Sequence, residues 1–226
     1  MNEYIFLSHA IFVGASAVGA LVFGSAGLTT FVATQCVLAN FFVLKQITLF
    51  GLSATCSDAY TIGATIGLNL LQEFFGKKAA KQAIGINFFM LILYAIVSQI
   101  HLWYIPSAVD TTQAHYYALL QVTPRIIIAS FSVFLFTQML DYHLYGFLKN
   151  KLKDRYLLIR NYASIVICQA IDTILFGFLG LYGIIDNLWE VMLVSYFIKL
   201  IAIVVATPFV WASRPLYDYL NQKIRF

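Results

Sequence analysis

Charge is what this sequence has least of. Asp, Glu, Lys and Arg make up 11% of its 226 residues, against about 25% in a soluble domain, while 61% are hydrophobic and the mean hydropathy is +0.83. A soluble globular domain is excluded on that ground. Cysteine is scarce as well: Cys36, Cys56 and Cys168 are odd in number and each sits in an apolar stretch, which leaves neither a disulfide framework nor CxxC metal spacing. No Lys or Arg precedes Lys45, so the first apolar run lacks the basic flank of a secretion signal and reads as a retained helix. The chain contains no HExxH, GxSxG or GxxxxGK[ST], and its four histidines have no partner at ligand spacing. Neither an enzyme nor a cofactor is therefore expected, and ATP coupling would need a second chain.

What is present in quantity is apolar sequence. Seven stretches approach the roughly 20 residues that a spanning helix needs: 4–24, 28–50, 56–75, 82–104, 125–148, 161–185 and 190–212. The expected fold is an all-α integral membrane protein, a polytopic bundle of about six or seven transmembrane helices forming a single transmembrane domain over residues 1–226. Basic residues gather at Lys77, Lys78 and Lys81, at Lys149, Lys151, Lys153, Arg155 and Arg160, and at Arg214, Lys223 and Arg225. With seven spans these clusters share one side, which the positive-inside rule makes cytoplasmic, and the N-terminus lies outside. Asp58, Asp110, Asp186 and Glu190 fall in the opposite connections. The net charge of +4 then reports orientation, and no nucleic-acid partner is expected.

Two features outside the spans bear on organisation. The first two are joined by only "GSAGL" (24–28), which forces a helical hairpin, and the first carries small residues four apart: Ala15 with Gly19, Ser16 with Ala20 and Ala20 with Gly24. Such a face can pack internally, form a homo-oligomer or dock a partner. The connection 105–125 runs from Pro106 to Pro124, and its middle, "QAHYYALLQ", suits a short interfacial helix.

Ionisable residues inside spans are costly, at least about 2.5–3.5 kcal/mol each, and usually face a cavity or a partner. Here they are Lys45, Glu73, Asp141, His143, Asp172 and Lys199. On a helix, Asn161, Ser164, Cys168 and Asp172 fall within about 80° of one another, with Gln169 beside them. "TQMLD" (137–141) repeats the Gln–Asp spacing of "CQAID" (168–172), placing Gln138 with Asp141 as Gln169 stands with Asp172. Asp172 and Lys199 form either a structural ion pair or part of a binding site. Glu73 likewise either meets a ligand or pairs with Lys77 four residues on.

These residues carry a family resemblance. "LANFFVLKQITLFGL" (38–52), "LNLLQEFFGKKAA" (68–80), "PRIIIAS" (124–130) with "QMLD", "RNYASIVICQAIDT" (160–173) and "KLIAIVVATPF" (199–209) resemble, in order and spacing, the queuosine precursor transporters, also called the VUT or YhhQ family. The resemblance implies import of a 7-deazaguanine base such as preQ0 or preQ1 across a bacterial inner membrane, for queuosine salvage. Asn69 stands where the family usually has Asp, and "IGAT" (62–65) where it has a Pro-Leu-Thr-like stretch, so another base such as queuine stays open.

A deazaguanine presents N–H donors beside a carbonyl, so a carboxylate can accept from its edge while amides or an ammonium donate to the carbonyl. Glu73 and Asp172 are candidate acceptors. Gln138, Asn161, Gln169 and Lys199 are candidate donors; Asn69, Arg125, Asp141 and Ser164 complete the candidate substrate-binding set, and Phe74, Phe176 or Tyr196 would stack on the ring. The competing reading is a substrate-capturing subunit for another small vitamin- or nucleobase-like solute, working with a separate energising module.

Overall fold

The computed structural model describes residues 1–151 and 157–224; within them the side chains of Gln138, Asp141, Asn161 and Ser164, all predicted site residues, lie outside what is described. The elements are α1 (Asn2–Leu21), α2 (Gly24–Phe42), β1 (Gln46–Leu49), β2 (Leu52–Thr55), α3 (Asp58–Trp103), α4 (Gln113–Leu120), α5 (Thr123–Lys151), α6 (Leu157–Phe176), a π-helical turn (Gly177–Leu181) and α7 (Leu188–Ile224). The all-helical, polytopic expectation holds, with one addition: a two-stranded hairpin.

A straight α3 would be about 69 Å long, roughly twice the hydrocarbon core of a bilayer. It does not run straight. Gly76 takes φ 83° and ψ 171°, a conformation open to glycine and closed to other residues, and the chain reverses there. Both arms then flank α2: Gly63 of the first lies against Gln35, while Asn87 of the second hydrogen-bonds Cys36. A Cβ on Gly67 would stand 2.6 Å from Val32 Cγ2, so the glycine is what lets the first arm and α2 close up. Among the described residues five helical stretches are long and apolar enough to span a bilayer, Asn2–Leu21, Gly24–Phe42, Asp58–Trp103, Gln113–Thr137 and Leu188–Val205. Dividing α3 at Gly76 makes six, against the six or seven expected, and Val166–Leu181 is a shorter apolar stretch.

The β-hairpin is the departure from expectation. The sequence reading runs the second span on to residue 50, but α2 stops at Phe42 and residues 46–55 pair as strands, with Gln46 opposite Thr55 and Leu49 opposite Leu52. Phe50 and Gly51 make the turn with φ 54° and 80°, as a two-residue hairpin of primed type requires. Leu49 and Ala54 are buried against Val194 and Ile198 of α7, with Phe6 of α1 alongside. Irregular or strand backbone is tolerated at membrane depth only under protein cover, and side chains supply that cover here. Glu3 accepts from the Phe50 N–H at 2.9 Å, Glu190 accepts from the Ser53 N–H at 2.8 Å, and Asn2 Nδ2 donates to the Thr48 carbonyl at 2.9 Å.

The expected interfacial helix is α4, tied to the second arm of α3 by Gln99 Nε2 donating to the Leu120 carbonyl at 2.8 Å. Before it, the Thr112 N–H and hydroxyl both donate to Asp110 Oδ1 at 2.7 Å, which holds that carboxyl below its usual range. On α1 the internal packing uses Val13, Gly14, Ala17 and Leu21, whereas Ala15 and Gly19 stay exposed. The inner face of α1 is thus displaced from the Ala15–Gly19 stripe, because Gly14 is the residue that meets the Phe209 ring of α7.

Candidate functional site

Three helices bring their polar residues to one depth. On α7, Ser195 and Lys199 are one turn apart and share a side. Lys199 lies 11 residues beyond Leu188, about 16 Å along the helix and so near the middle of a hydrocarbon core of about 30 Å. Its Nζ donates to Asp172 Oδ2 at 2.8 Å and to Thr173 Oγ1 at 3.2 Å, both on α6. Ser195 Oγ donates to Asp58 Oδ1 at 2.6 Å. Lys199 is 7% exposed and Asp58 only 2%.

Asp58 is the surprise of this site. The sequence reading places it in an outer connection, but the hairpin carries the chain out and back, so that α3 begins inside the protein with Asp58 in its first turn. An acid at a helix N-terminus is favoured by the backbone dipole. Discontinuous helices with ends at mid-depth are a recurrent way of building transporter sites. Asp58 Oδ2 is buried and has no hydrogen-bond partner among the described residues. Lys199 and Asp172 both act on Asp58 electrostatically, so one ammonium serves two carboxylates.

From Asp58 a polar stripe descends the first arm of α3. Thr61, Thr65, Asn69, Gln72 and Glu73 fall with Asp58 within about 120° of helix surface. Thr65, Asn69, Gln72 and Glu73 are exposed, while the opposite face (Gly63, Ile66, Gly67, Leu70) packs against α1 and α2. In a membrane protein such a stripe belongs against a wet path and not against lipid. Of the divergent "IGAT" stretch only Thr65 is on it; Ile62, Gly63 and Ala64 are buried in helix packing.

Glu73 ends the stripe about 22 Å from Asp58 along the helix. It is paired with Arg214 of α7, Nη2 to Oε1 at 2.7 Å, and the pairing with Lys77 does not form because the Gly76 break destroys the i,i+4 register. Beside it Phe74 stacks on Tyr217 with ring centroids 4.4 Å apart, and the Tyr217 hydroxyl donates to the Phe74 carbonyl. Arg125 sits at the other end of the bundle, where Nε and Nη2 donate to the Leu179 and Tyr182 carbonyls at 3.1 and 2.6 Å, capping the π-helical end of α6.

The predicted set therefore divides. Asp172 and Lys199 meet at mid-depth, with Gln169 half-buried one turn before Asp172. Asn69 lies between that group and Glu73, and Arg125 lies apart. Of the expected stacking residues, Phe74 is engaged with Tyr217 and Phe176 packs into an apolar cluster with Val43, Leu181 and Met192. Asp58, Thr65, Thr173 and Ser195 are additions that the sequence reading missed. The signal for Asp58 was the Phe-Gly pair at 50–51, a hairpin turn that reassigns everything after it.

Residues 59–212 match the profile of a family described as "Putative vitamin uptake transporter". The chain is 29% identical over 199 residues to the "Probable queuosine precursor transporter" of Bacillus subtilis (strain 168), a match covering 86% of each protein. No solved structure matches. With its long apolar helices and a profile match over most of its length, the chain belongs to the vitamin uptake transporter family, membrane proteins that carry a small molecule.

Proposed function

We propose that this chain imports a queuosine precursor, a 7-deazaguanine base such as preQ0 or preQ1, across a bacterial inner membrane as one transporter domain, with residues 77–81 and the C-terminal end of α7 on the cytoplasmic side. The observation that carries the reading is the group at mid-depth: Asp172 on α6, Lys199 and Ser195 on α7 and Asp58 on α3, approached by the exposed stripe of Thr65, Asn69 and Glu73. A planar base with N–H donors flanking a carbonyl offers the complement, since a carboxylate accepts from its edge and an ammonium donates to its oxygen. Buried polar groups reject ligands that leave them unpaired, commonly by several orders of magnitude.

In this reading Asp172 and Lys199 contact the base, with Gln169, Asn161 and Ser164 on α6 beside Asp172, and Gln138 and Asp141 one turn apart on α5. Asn69 and Glu73 line the exit, and Arg125 holds the opposite end. The relative's printed name supports the choice of solute, and the basic clusters on the Gly76 side support the orientation.

The test is uptake of labelled preQ0, preQ1 and queuine into cells that cannot make queuosine, with and without this chain. Chain-dependent uptake of one base, lost in Asp172→Asn at unchanged abundance, is the expected result. Uptake that does not depend on the chain for any base would end the proposal. Copurification with an ATPase, together with no uptake by the chain alone in liposomes, would favour the substrate-capturing subunit, for which Ala15 and Gly19 offer an uncovered face.

A further inference from the structure

We propose that Asp58 is a proton site and that each neutral base moves together with one proton. This rests on the transport reading above. Three ionisable side chains meet at mid-depth: Lys199 of α7, Asp172 of α6 and Asp58 of α3. With all three charged the group carries one negative charge too many, and an uncompensated buried charge is among the most costly things a protein can hold. The ammonium is committed to Asp172 at 2.8 Å and to the Thr173 hydroxyl. Asp58 receives only the Ser195 hydroxyl on Oδ1, and its Oδ2 is enclosed with no partner among the described residues.

What completes this carboxylate has to be cationic and has to fit where there is no free surface. A proton meets both conditions; a ligand ammonium meets only the first, because an atom buried so completely offers it no contact. Beyond its interactions with Lys199 and Asp172, Asp58 acts on Cys56 at the exit of the hairpin, on which Lys45 also acts. The stripe of Thr61, Thr65 and Asn69 leads from Asp58 toward the Gly76 end, with the latter two exposed, and gives a proton a hydroxyl- and amide-lined way out.

Lys199 links the proton to the solute. With Asp58 protonated, the Lys199–Asp172 pair is neutral as a whole and stays closed. When the proton leaves, the freed Asp58 carboxylate competes for the same ammonium, which as a compact charge on a flexible stem can turn toward it and loosen Asp172. One proton is bound on one side of the membrane and released on the other, and the base crosses chemically unchanged.

The test uses the purified chain in liposomes, a membrane potential clamped at zero and labelled preQ0, a neutral base, as probe. With one proton per base, a gradient of one pH unit is worth about 1.4 kcal/mol and drives about tenfold accumulation. In Asp58→Asn the ratio of accumulation with and without the gradient falls to one. Accumulation in the parent chain that ignores the gradient overturns the proposal, as does a variant that still responds to it.

A second readout does not depend on the solute. Infrared difference spectra recorded across a pH titration show a protonated carboxyl band that disappears in Asp58→Asn and changes frequency in Ser195→Ala, which deletes the hydroxyl bonded to Oδ1. Absence of that band overturns the proposal. The band together with no uptake of any deazapurine leaves the proton site standing and removes the transport reading instead.

Discussion

At the hairpin end of the bundle, closure is made by backbone groups. The strand edges donate to Glu3 and Glu190, Asn2 donates to Thr48, and Arg125 holds the carbonyls of Leu179 and Tyr182. At the Gly76 end, closure between α3 and α7 is made by the Glu73–Arg214 pair, whose side chains are 51% and 70% exposed, by the packing of Phe74 and Phe75 on Tyr217, and by the Tyr217 hydroxyl donating to the Phe74 carbonyl. Exposed ion pairs contribute about 0–1 kcal/mol and an aromatic pair about 0.5–1.5 kcal/mol beyond its area. At the hairpin end only the Ser53–Glu190 bond is partly buried, and leaving its N–H unpaired costs about 1–3 kcal/mol; the other bonds there are exposed. With its one partly buried backbone bond, the hairpin end is expected to open at greater expense than the Gly76 end.

Both ends depend on the group between them, and removing its cation has the largest expected effect. Lys199→Met leaves the half-buried Asp172 without its counter-charge beside the buried Asp58 and destabilises the fold by about 3–5 kcal/mol. Thermal unfolding in detergent measures it, and the double variant Lys199→Met, Asp172→Asn should recover much of the loss, since it removes a carboxylate along with the ammonium. A single variant as stable as the parent would show that Lys199 holds neither end.

Next in size is a matched pair of glycines, one at each end. Gly51 (φ 80°) turns the hairpin and Gly76 (φ 83°) reverses α3, and an added Cβ meets nothing within 4 Å at either. An alanine therefore reports backbone conformation alone. Gly51→Ala should cost about 1–2 kcal/mol. Gly76→Ala should cost about 1–3 kcal/mol, the larger of the two, because an extended ψ at positive φ excludes every side chain. Equal or reversed costs, measured by unfolding midpoints, would show that the reversal at Gly76 has a different geometry.

The same two glycines mark what was legible in the sequence. The all-helical class, a short helix within the 105–125 connection and the Asp172–Lys199 meeting could be read, the last because ionisable residues are rare in apolar sequence and stand out. The hairpin could not be read in the same way, since "QITLFGLSAT" is as apolar as its neighbours and an apolar run long enough to span is taken for helix. Missing the hairpin and missing Asp58 are a single error: a second helix drawn to residue 50 leaves Asp58 in the connection outside, whereas two strands return it to the interior. Glu73 was found by its charge, but of the alternatives left open for it, a ligand or Lys77, neither named Arg214, which only the packing of α7 against α3 brings to it. The division of the candidate residues over some 22 Å was likewise hidden, since a helical wheel gives direction and not depth.

A third intervention separates the ends directly. Glu190→Ala leaves the Ser53 N–H without its acceptor, at a cost of about 1–3 kcal/mol, and loosens only the hairpin end. A cysteine replacing Ser53, in a chain otherwise free of cysteine, should then react faster with a membrane-impermeant thiol reagent supplied from the hairpin side. The same reagent supplied from the opposite side should act on a cysteine at position 69 no faster than before. A parallel rise at both positions would mean that the ends are not independently closed.

The smallest effect is at the Gly76 end, and its sign is the most informative. Arg214→Ala removes a pair of exposed charges, so the unfolding midpoint should scarcely move, by less than about 1 kcal/mol. The same free energy applied to an opening equilibrium changes the open population by up to about fivefold. Labelling of Asn69→Cys from the Gly76 side should rise by that order. Salt gives the check without a second mutation: between 0.1 and 1 M the screening length falls from about 10 Å to 3 Å, which weakens an exposed pair and leaves enclosed ones nearly untouched. Labelling of Asn69→Cys in the chain that retains Arg214 should climb with salt toward the level of the Arg214→Ala variant, and the variant itself should not respond. A salt response that survives the loss of Arg214 would place the latch in some other pair. A fall in labelling on removing Arg214 would mean that the Glu73 contact props this end open, and the contrast between the two ends would have to be inverted.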